Sequence, residues 1–221
     1  MEMKLPWSYT ALTAFETCPK RYYLTRVAKT VADPMGEAAK WGDWVHKQLQ
    51  AYAESRTPLP PTLTKLAPLV DKVTGQNGTL VVERKMAITE RLTETTWFGK
   101  DAWCRGIVDL GVIGTRHAFL LDWKTGARKP DNPQLALFAA LAMAIHGDLQ
   151  EVTTAYVWLK DGKLDPKVFT RQQLVDIWRD FLPRVERMRA AFEENKWPER
   201  PSGLCRNYCP VGKQNCLHCG K

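Results

Sequence analysis

The stretch GIVDLGVIGTRHAFLLDWKTG, residues 106–126, decides the fold of this chain. Its first half belongs to an apolar run over residues 103–113, and its second half belongs to another run over residues 117–124. A short break with glycine, threonine and arginine separates the two runs, and such a break between strand-like segments predicts a hairpin. We therefore expect a β-hairpin at the centre of the fold.

The register of this hairpin decides which side chains meet. If the chain folds about Thr115 and Arg116, paired residue numbers sum to 231, and Asp109 lies opposite Asp122. Cross-strand Cβ atoms lie about 4.5–5.5 Å apart, so the two carboxylates repel unless a cation lies between them or one is protonated. Such oxygen ligands suit Mg²⁺ or Mn²⁺. Because side chains alternate along a strand, Lys124 lies on the same face as Asp122. An ordinary surface ion pair explains Asp122 and Lys124 equally well on this pattern alone.

Helical and strand patterns on both sides of the hairpin predict one α/β domain over residues 1–221. Apolar spacing indicates helices near residues 8–26, 41–52, 134–146 and 170–195, and further strands are indicated at residues 79–88 and 151–160. The expected architecture is a central mixed β-sheet flanked by helices, with a helical N-terminal part and a cysteine-rich C-terminal tail. Trp41 and Trp178 fall on apolar helix faces, so both are expected in the core.

Charge and hydropathy narrow the class of protein. Lys and Arg outnumber Asp and Glu by 32 to 24, and the resulting net charge of +8 suits a nucleic-acid partner, although a solvated basic surface explains it equally well. No run approaches the ~18 consecutive apolar residues of a membrane helix. The first ten residues lack a basic segment followed by an apolar run, so we expect a cytoplasmic protein without a membrane association.

Six cysteines are distributed unevenly along the chain. Cys18 and Cys104 stand alone, whereas four others lie in the tail, at Cys205, Cys209, Cys216 and Cys219. In a reducing compartment such a set predicts metal binding rather than disulfides, and four tail thiolates by themselves suit zinc. Cys104, on a predicted strand, is expected to be a packed thiol.

Together these motifs resemble the PD-(D/E)XK nuclease superfamily, in particular its RecB-like branch. A G-x-x-D strand, here Gly106–Asp109, precedes a D-x-K-T-G strand, here Asp122–Gly126, and a helix that opens with Gln134–Leu135. The segment GDWVHKQL resembles the upstream helix that supplies a histidine, here His46. The segment SYTALTAFETCPKRYYL resembles the opening helix of iron–sulfur members and contains Cys18.

The resemblance implies a restriction-endonuclease-like core and a metal-dependent DNA nuclease, an exonuclease with little sequence specificity. It implies that His46, Asp109 and Asp122 hold Mg²⁺ or Mn²⁺, and that Lys124 and Gln134 complete the catalytic set with the two aspartates. It also implies a 4Fe–4S cluster, rather than zinc, on one N-terminal and three tail cysteines, namely Cys18, Cys205, Cys209 and Cys216. Cys219 is then spare, or it replaces Cys216.

Two residues leave alternatives open. The family pattern Q-x-x-x-Y begins here at Gln134, but Phe138 takes the place of the tyrosine, so the hydroxyl is missing. Phe138 lies on the same predicted helix face as Leu141, and packing in the core is therefore its favoured role. A non-catalytic nucleic-acid-binding or assembly module that keeps the fold and the cluster is the alternative function. Glu83 is a further candidate acid, but its neighbours Arg84 and Lys85 favour a solvent-facing side chain.

DNA is the expected partner, and clusters of basic residues are the expected contacts. Such residues bind phosphates without reading sequence. The candidates are Lys20, Arg21, Arg128 and Lys129. The resemblance also admits helicase, recombination or CRISPR-type partner proteins, because the chain contains no glycine-rich phosphate loop of the helicase kind.

Overall fold

The computed structural model describes residues 6–128 and 133–220, and the chain divides into two compact units. The first unit combines the chain up to Met35 with the chain from Arg179 onward, and the second is Gly36–Trp178. The strands are β1 Trp7–Ser8, β2 Thr79–Ile88, β3 Cys104–Ile113, β4 His117–Lys124, β5 Glu151–Trp158 and β6 Lys163–Thr170. The α-helices are α1 Tyr9–Thr17, α2 Pro19–Tyr22, α3 Glu37–Ser55, α4 Ala67–Thr74, α5 Gln134–Ile145, α6 Leu174–Glu193 and α7 Leu204–Asn207.

A mixed sheet forms the centre of the second unit, as predicted. Strand β3 pairs antiparallel with both β2 and β4, β4 pairs in parallel with β5, and β5 pairs antiparallel with β6. The parallel step needs a crossover, and α5 provides it. Strand β6 was not predicted from the sequence because its side chains are mostly exposed and it contains Pro166, which a sheet tolerates only on an edge strand.

The hairpin has the predicted register. The pairs run from Leu110 opposite Leu121 to Ile113 opposite Ala118, so paired numbers sum to 231. The next pair in this register is Asp109 opposite Asp122. The backbone N–H of Trp123 donates to Asp109 Oδ2 at 2.7 Å, so the acid side chain continues the contact between the strands where the backbone pairs end.

Helices cover both faces of the sheet. On one face, side chains of α3 and α4 pack with those of β3 and β4 in a core that includes Val45, Leu49, Val70, Leu110 and Leu121. On the other face lies α5, whose Phe138 is buried at 3% exposure, as its packing role predicted. No helix in the described part of the chain has the length and apolar character needed to cross a membrane.

The first unit has its own aromatic core, in which Phe15 lies against Tyr22 with ring centroids 6.0 Å apart. Ser8 caps α1 by accepting a hydrogen bond from Ala11 N at 3.2 Å, and Pro19 begins α2, so the helical segment predicted near residues 8–26 is divided at this proline. Arg184 of α6 donates two hydrogen bonds to Glu16 at 2.7 Å each, a bidentate pair that ties α6 to α1.

The prediction for Trp41 was wrong, although the prediction for Trp178 is confirmed. Trp178 is 7% exposed, whereas Trp41 is 47% exposed and stacks on Trp44 with ring centroids 4.8 Å apart. Trp41 lies one turn before Val45, where the buried part of α3 begins. Apolar periodicity identifies the core-facing side of a helix. It does not show where along the helix the neighbouring elements stop covering that side.

Gly111 lets β3 approach β4 closely, and this predicts the effect of a substitution. A Cβ atom at this position would lie 2.5 Å from the backbone oxygen of Phe119. We expect Gly111→Ala to lower the free energy of unfolding by about 1–3 kcal/mol through overpacking, as measured by urea denaturation. Gly147→Ala is the matched control, since no atom lies within 4 Å of its added Cβ. Equal stability of the two variants would contradict this interpretation.

Candidate functional site

Asp122, Lys124 and Gln134 form a closed set of contacts at the end of β4. Lys124 Nζ lies 2.5 Å from Asp122 Oδ2 and donates to Gln134 Oε1 at 3.0 Å. Gln134 Nε2 in turn donates to Asp122 Oδ1 at 3.2 Å. Because Gln134 is the first residue of α5, the start of this helix holds the lysine and the aspartate in one arrangement.

Asp109, His46 and Glu83 form a second set of contacts beside the first. His46 of α3 places Nδ1 at 3.4 Å from Asp109 Oδ1 and at 3.7 Å from Glu83 Oε1. Its other ring nitrogen, Nε2, lies 3.2 Å from the carbonyl oxygen of Trp123. The histidine therefore bridges α3 to β2, β3 and β4.

Burial and charge shift the protonation of both sets. Burial, and then the neighbouring charge of Asp109, raise the pKa of Asp122 to about 7, although Lys124 and His46 oppose the shift. Burial opposes the charged form of His46, but hydrogen bonds to Asp109 and Glu83 outweigh it and raise the pKa of His46 to about 10. Asp109 contributes to both shifts, because its charge opposes a second negative charge on Asp122 and stabilises the positive charge of His46.

Glu83 belongs to this site, and the favoured prediction of a solvent-facing side chain was wrong. Its side chain is only 27% exposed. In the β2–β3 register, Val82 pairs with Leu110 and Arg84 pairs with Val108, so Glu83 lies opposite Asp109. Its backbone has a φ of 45°, a conformation that non-glycine residues rarely adopt and that often marks functional sites. The pairing of β2 with β3 could have located Glu83, but the long segment between these two strands contains no short turn that sets their register.

The residues at this site fit a hard divalent metal ion. Among the described residues, His46, Glu83 and Asp109 offer ligand atoms that all lie within 4.8 Å of one another. One imidazole nitrogen with carboxylate oxygens suits Mn²⁺ or Mg²⁺. Of the predicted ligands, His46 and Asp109 belong to this group, whereas Asp122 contacts Lys124 and Gln134. The role of Asp122 as a ligand stays a prediction.

Tyr156 is a site residue that the sequence did not reveal. It pairs with Asp122 across the parallel β4–β5 ladder. Lys124 Nζ lies 5.0 Å from the centroid of its ring, and its hydroxyl donates to Gln134 Oε1 at 3.5 Å. A phenol hydroxyl thus reaches Gln134 from β5, although Phe138 carries none. The strand itself was predicted, but its position beside β4 was not.

Five of the six cysteines line one pocket in the first unit. The pocket joins Cys18 to the tail residues Cys205, Cys209, Cys216 and Cys219. Burial raises the pKa of the Cys219 thiol, and hydrogen bonds with the neighbouring thiols of Cys209 and Cys216 raise it further. Cys104 lies outside this pocket and is fully buried, as its packed role predicted, and burial raises its pKa.

The predicted DNA-contacting residues have carboxylate partners within the protein. Lys20 lies 2.5 Å from Glu199, Arg21 lies 3.2 Å from Asp33, and Arg128 Nη2 lies 2.5 Å from Asp165. Such partly exposed pairs contribute little stability and can exchange partners. Lys129, the fourth candidate, lies outside the described residues. A phosphate contact by these residues stays a prediction.

Comparison with known proteins gives a family and a fold. The family model described as the PD-(D/E)XK nuclease superfamily matches residues 6–214. A solved structure described as a candidate exonuclease from Eubacterium rectale is similar to this chain, with a TM-score of 0.57 and 11% identity, over 93% of this chain and 87% of that one. The structure of SSO0001 is similar with a TM-score of 0.50 and 13% identity, over 96% and 86%. No curated protein sequence matches the chain.

The position of Glu83 predicts that it contributes to metal affinity. We expect Glu83→Gln to weaken Mn²⁺ binding about ten- to a hundredfold, because the substitution removes a negative oxygen from the group around His46. Isothermal titration calorimetry with Mn²⁺ measures this. Glu37→Gln, which changes an exposed carboxylate on α3, is the control and should bind Mn²⁺ like the wild type. Unchanged affinity in Glu83→Gln would remove Glu83 from the metal site.

Proposed function

Because the chain belongs to the PD-(D/E)XK nuclease superfamily, we propose that it is a metal-dependent DNA nuclease of the RecB-like branch. We further propose that it is a cytoplasmic exonuclease that hydrolyses phosphodiester bonds with little sequence specificity. One observation carries this proposal: the buried acids Asp109 and Asp122 lie between His46 and Lys124 at the end of the central hairpin. The similarity to a structure described as a candidate exonuclease supports the mode of cleavage.

The divalent metal would be held by four side chains, those of His46, Glu83, Asp109 and Asp122. The carbonyl oxygen of Trp123, which lies close to His46, is a further candidate oxygen ligand. Such a metal would supply Lewis-acid chemistry, which would lower the pKa of the attacking water and neutralise charge that develops in the transition state. The backbone N–H of Trp123 holds one oxygen of Asp109, so this carboxylate keeps its orientation. The neighbouring acids keep the local potential negative, which favours a cation.

Lys124 would place a positive charge beside the scissile phosphate. Its ammonium group lies against Asp122 and is held by Gln134, so few conformations remain open to it. A charge that is already oriented needs little reorganisation during the reaction. Gln134 is thus proposed to position Lys124 and Asp122, and the ring of Tyr156 supports the lysine from the side of β5.

The alternative of a non-catalytic binding module is less consistent with the buried acids. Asp122 is 4% exposed, and burying a carboxylate close to another one costs free energy. A module that only binds DNA would not gain from this cost, whereas a metal-dependent hydrolase would. DNA is the proposed partner, and a helicase, recombination or CRISPR-type protein is the proposed source of any strand-opening activity.

We also propose that Cys18, Cys205, Cys209 and Cys216 hold a 4Fe–4S cluster, which takes four thiolates. The shared pocket supports this proposal, because it brings Cys18 to cysteines that are distant in sequence. The cluster would tie the opening helices of the first unit to its tail.

The nuclease proposal predicts the effect of two substitutions. Asp122→Ala and Lys124→Ala should each lower Mn²⁺- or Mg²⁺-dependent cleavage of end-labelled DNA by about a hundredfold or more, because each removes a charge that acts on the transition state. Asp122→Ala removes one of two repelling carboxylates, and in Lys124→Ala the remaining Asp122 can take up a proton because its pKa is already raised to about 7. Both variants should therefore keep their circular dichroism spectra. The exposed residues Asp148 and Lys167 provide matched alanine controls with full activity. Undiminished cleavage by both site variants would contradict the proposal.

The cluster proposal predicts a difference between two cysteines. Anaerobically purified protein should contain iron and sulfide in equal amounts, and Cys18→Ala should lose the iron and the visible absorbance. Cys104→Ala should keep both, because Cys104 is buried in the other unit. Full metal content in Cys18→Ala would instead indicate a self-contained site on the tail, for which zinc is the better metal.

A further inference from the structure

An open groove of about 620 Å³ lies in the second unit beside the site of Lys124. Thr125 and Gly126, which directly follow Lys124, form part of its lining. A Cβ atom at Gly42 would come within 3.2 Å of Thr125 Oγ1, so α3 runs closely along this segment. The groove therefore begins where the proposed catalytic strand ends.

An exposed aromatic side chain stands in this groove. Trp41 lines it and is 47% exposed, although a tryptophan on an apolar helix face normally packs in the core. Trp44, which packs against the core of the second unit, stacks on Trp41 with an angle of 25° between the rings. Trp44 thus supports Trp41, and the exposed indole is available as a flat surface.

The groove has a positive lining. Lys65 and Lys160 contribute to it, both are exposed, and its described lining contains no acidic side chain. Lys65 Nζ donates to the carbonyl oxygen of Leu159 at 3.3 Å, and Leu159 N donates to the carbonyl oxygen of Lys124 at 3.0 Å. Both cations are therefore tied to the carboxyl ends of β4 and β5, next to Lys124.

We propose that this groove binds the single-stranded part of the nucleic-acid substrate, with one base stacked on Trp41 and the backbone phosphates near Lys65 and Lys160. An aromatic platform with flanking cations is the chemistry that binds unpaired strands without reading their sequence. A base pair inside a duplex has both faces covered by its neighbours, so it cannot stack on Trp41. This inference rests on the proposed nuclease function, because it assigns the strand that leads to Lys124.

Binding without cleavage tests this inference directly. A labelled single-stranded oligonucleotide is titrated with the full chain in EDTA, and fluorescence anisotropy gives the affinity. Trp41→Ala should lower the affinity about five- to a hundredfold, the effect of losing one stacked base, whereas Trp41→Phe should keep most of it. Phe98→Ala, which removes an aromatic side chain that is 83% exposed elsewhere in the same unit, should bind like the wild type.

Changes in the oligonucleotide and in salt give two readouts that a structural defect would not reproduce. The wild type should bind an oligonucleotide of abasic sites more weakly than a normal single strand, because no base is present to stack on Trp41. Trp41→Ala should bind the two oligonucleotides with equal affinity. Lys160→Gln should reduce the slope of log affinity against log salt by about 0.7, the value for one phosphate contact on a single strand.

Two outcomes would overturn the inference: wild-type affinity of Trp41→Ala for the single strand, or an equal loss of affinity for a closed circular duplex, which has no end at which a base pair could stack. Cleavage assays separate this failure from failure of the proposed function. If the wild type cleaves DNA but Trp41→Ala binds the single strand with wild-type affinity, only the inference about the groove is contradicted. If the wild type does not cleave DNA but Trp41→Ala binds the single strand more weakly, the nuclease proposal is contradicted and the inference about the groove is supported.

Discussion

The second unit depends on how the charges of two buried carboxylates are compensated. Asp109 and Asp122 are 6% and 4% exposed, and their mutual repulsion would oppose folding if no cation stood beside them. His46 reaches Asp109 from α3, and Lys124 reaches Asp122 along β4. Helix α5 adds Gln134 to the second contact, so two helices and the sheet meet at this point. Such a cluster is an uncertain source of stability, and its presence is better explained by the chemistry that it permits.

This meeting point lies at the carboxyl ends of the parallel strands β4 and β5. In open α/β sheets, ligands bind at the carboxyl ends of strands, where connecting segments leave a crevice. Lys124 ends β4, Leu159 directly follows β5, and a backbone hydrogen bond of 3.0 Å joins the two residues. The proposed catalytic site and the groove with Trp41 are therefore consequences of the same strand arrangement.

The first unit is organised by different physical chemistry. Its short strand β1 and its helices pack through aromatic residues such as Trp7 of β1 and Phe181 of α6, whose ring centroids lie 5.7 Å apart. Its tail from Pro198 onward has few buried side chains beyond Val211 and Cys219. A metal cluster on the pocket cysteines would supply the cross-links that such a tail lacks, and cross-links between distant residues restrict the unfolded chain strongly.

Local sequence determined the hairpin, its register and therefore the facing positions of Asp109 and Asp122, because turn residues and strand alternation act between near neighbours. The order of the motifs also predicted a mixed sheet with flanking helices. Only the tertiary structure decided that Glu83 faces Asp109, that Tyr156 lies beside Lys124, and that Trp41 stands in an open groove. These facts depend on which strands become neighbours and on where a packed layer ends, and both are set by contacts between segments far apart in the chain.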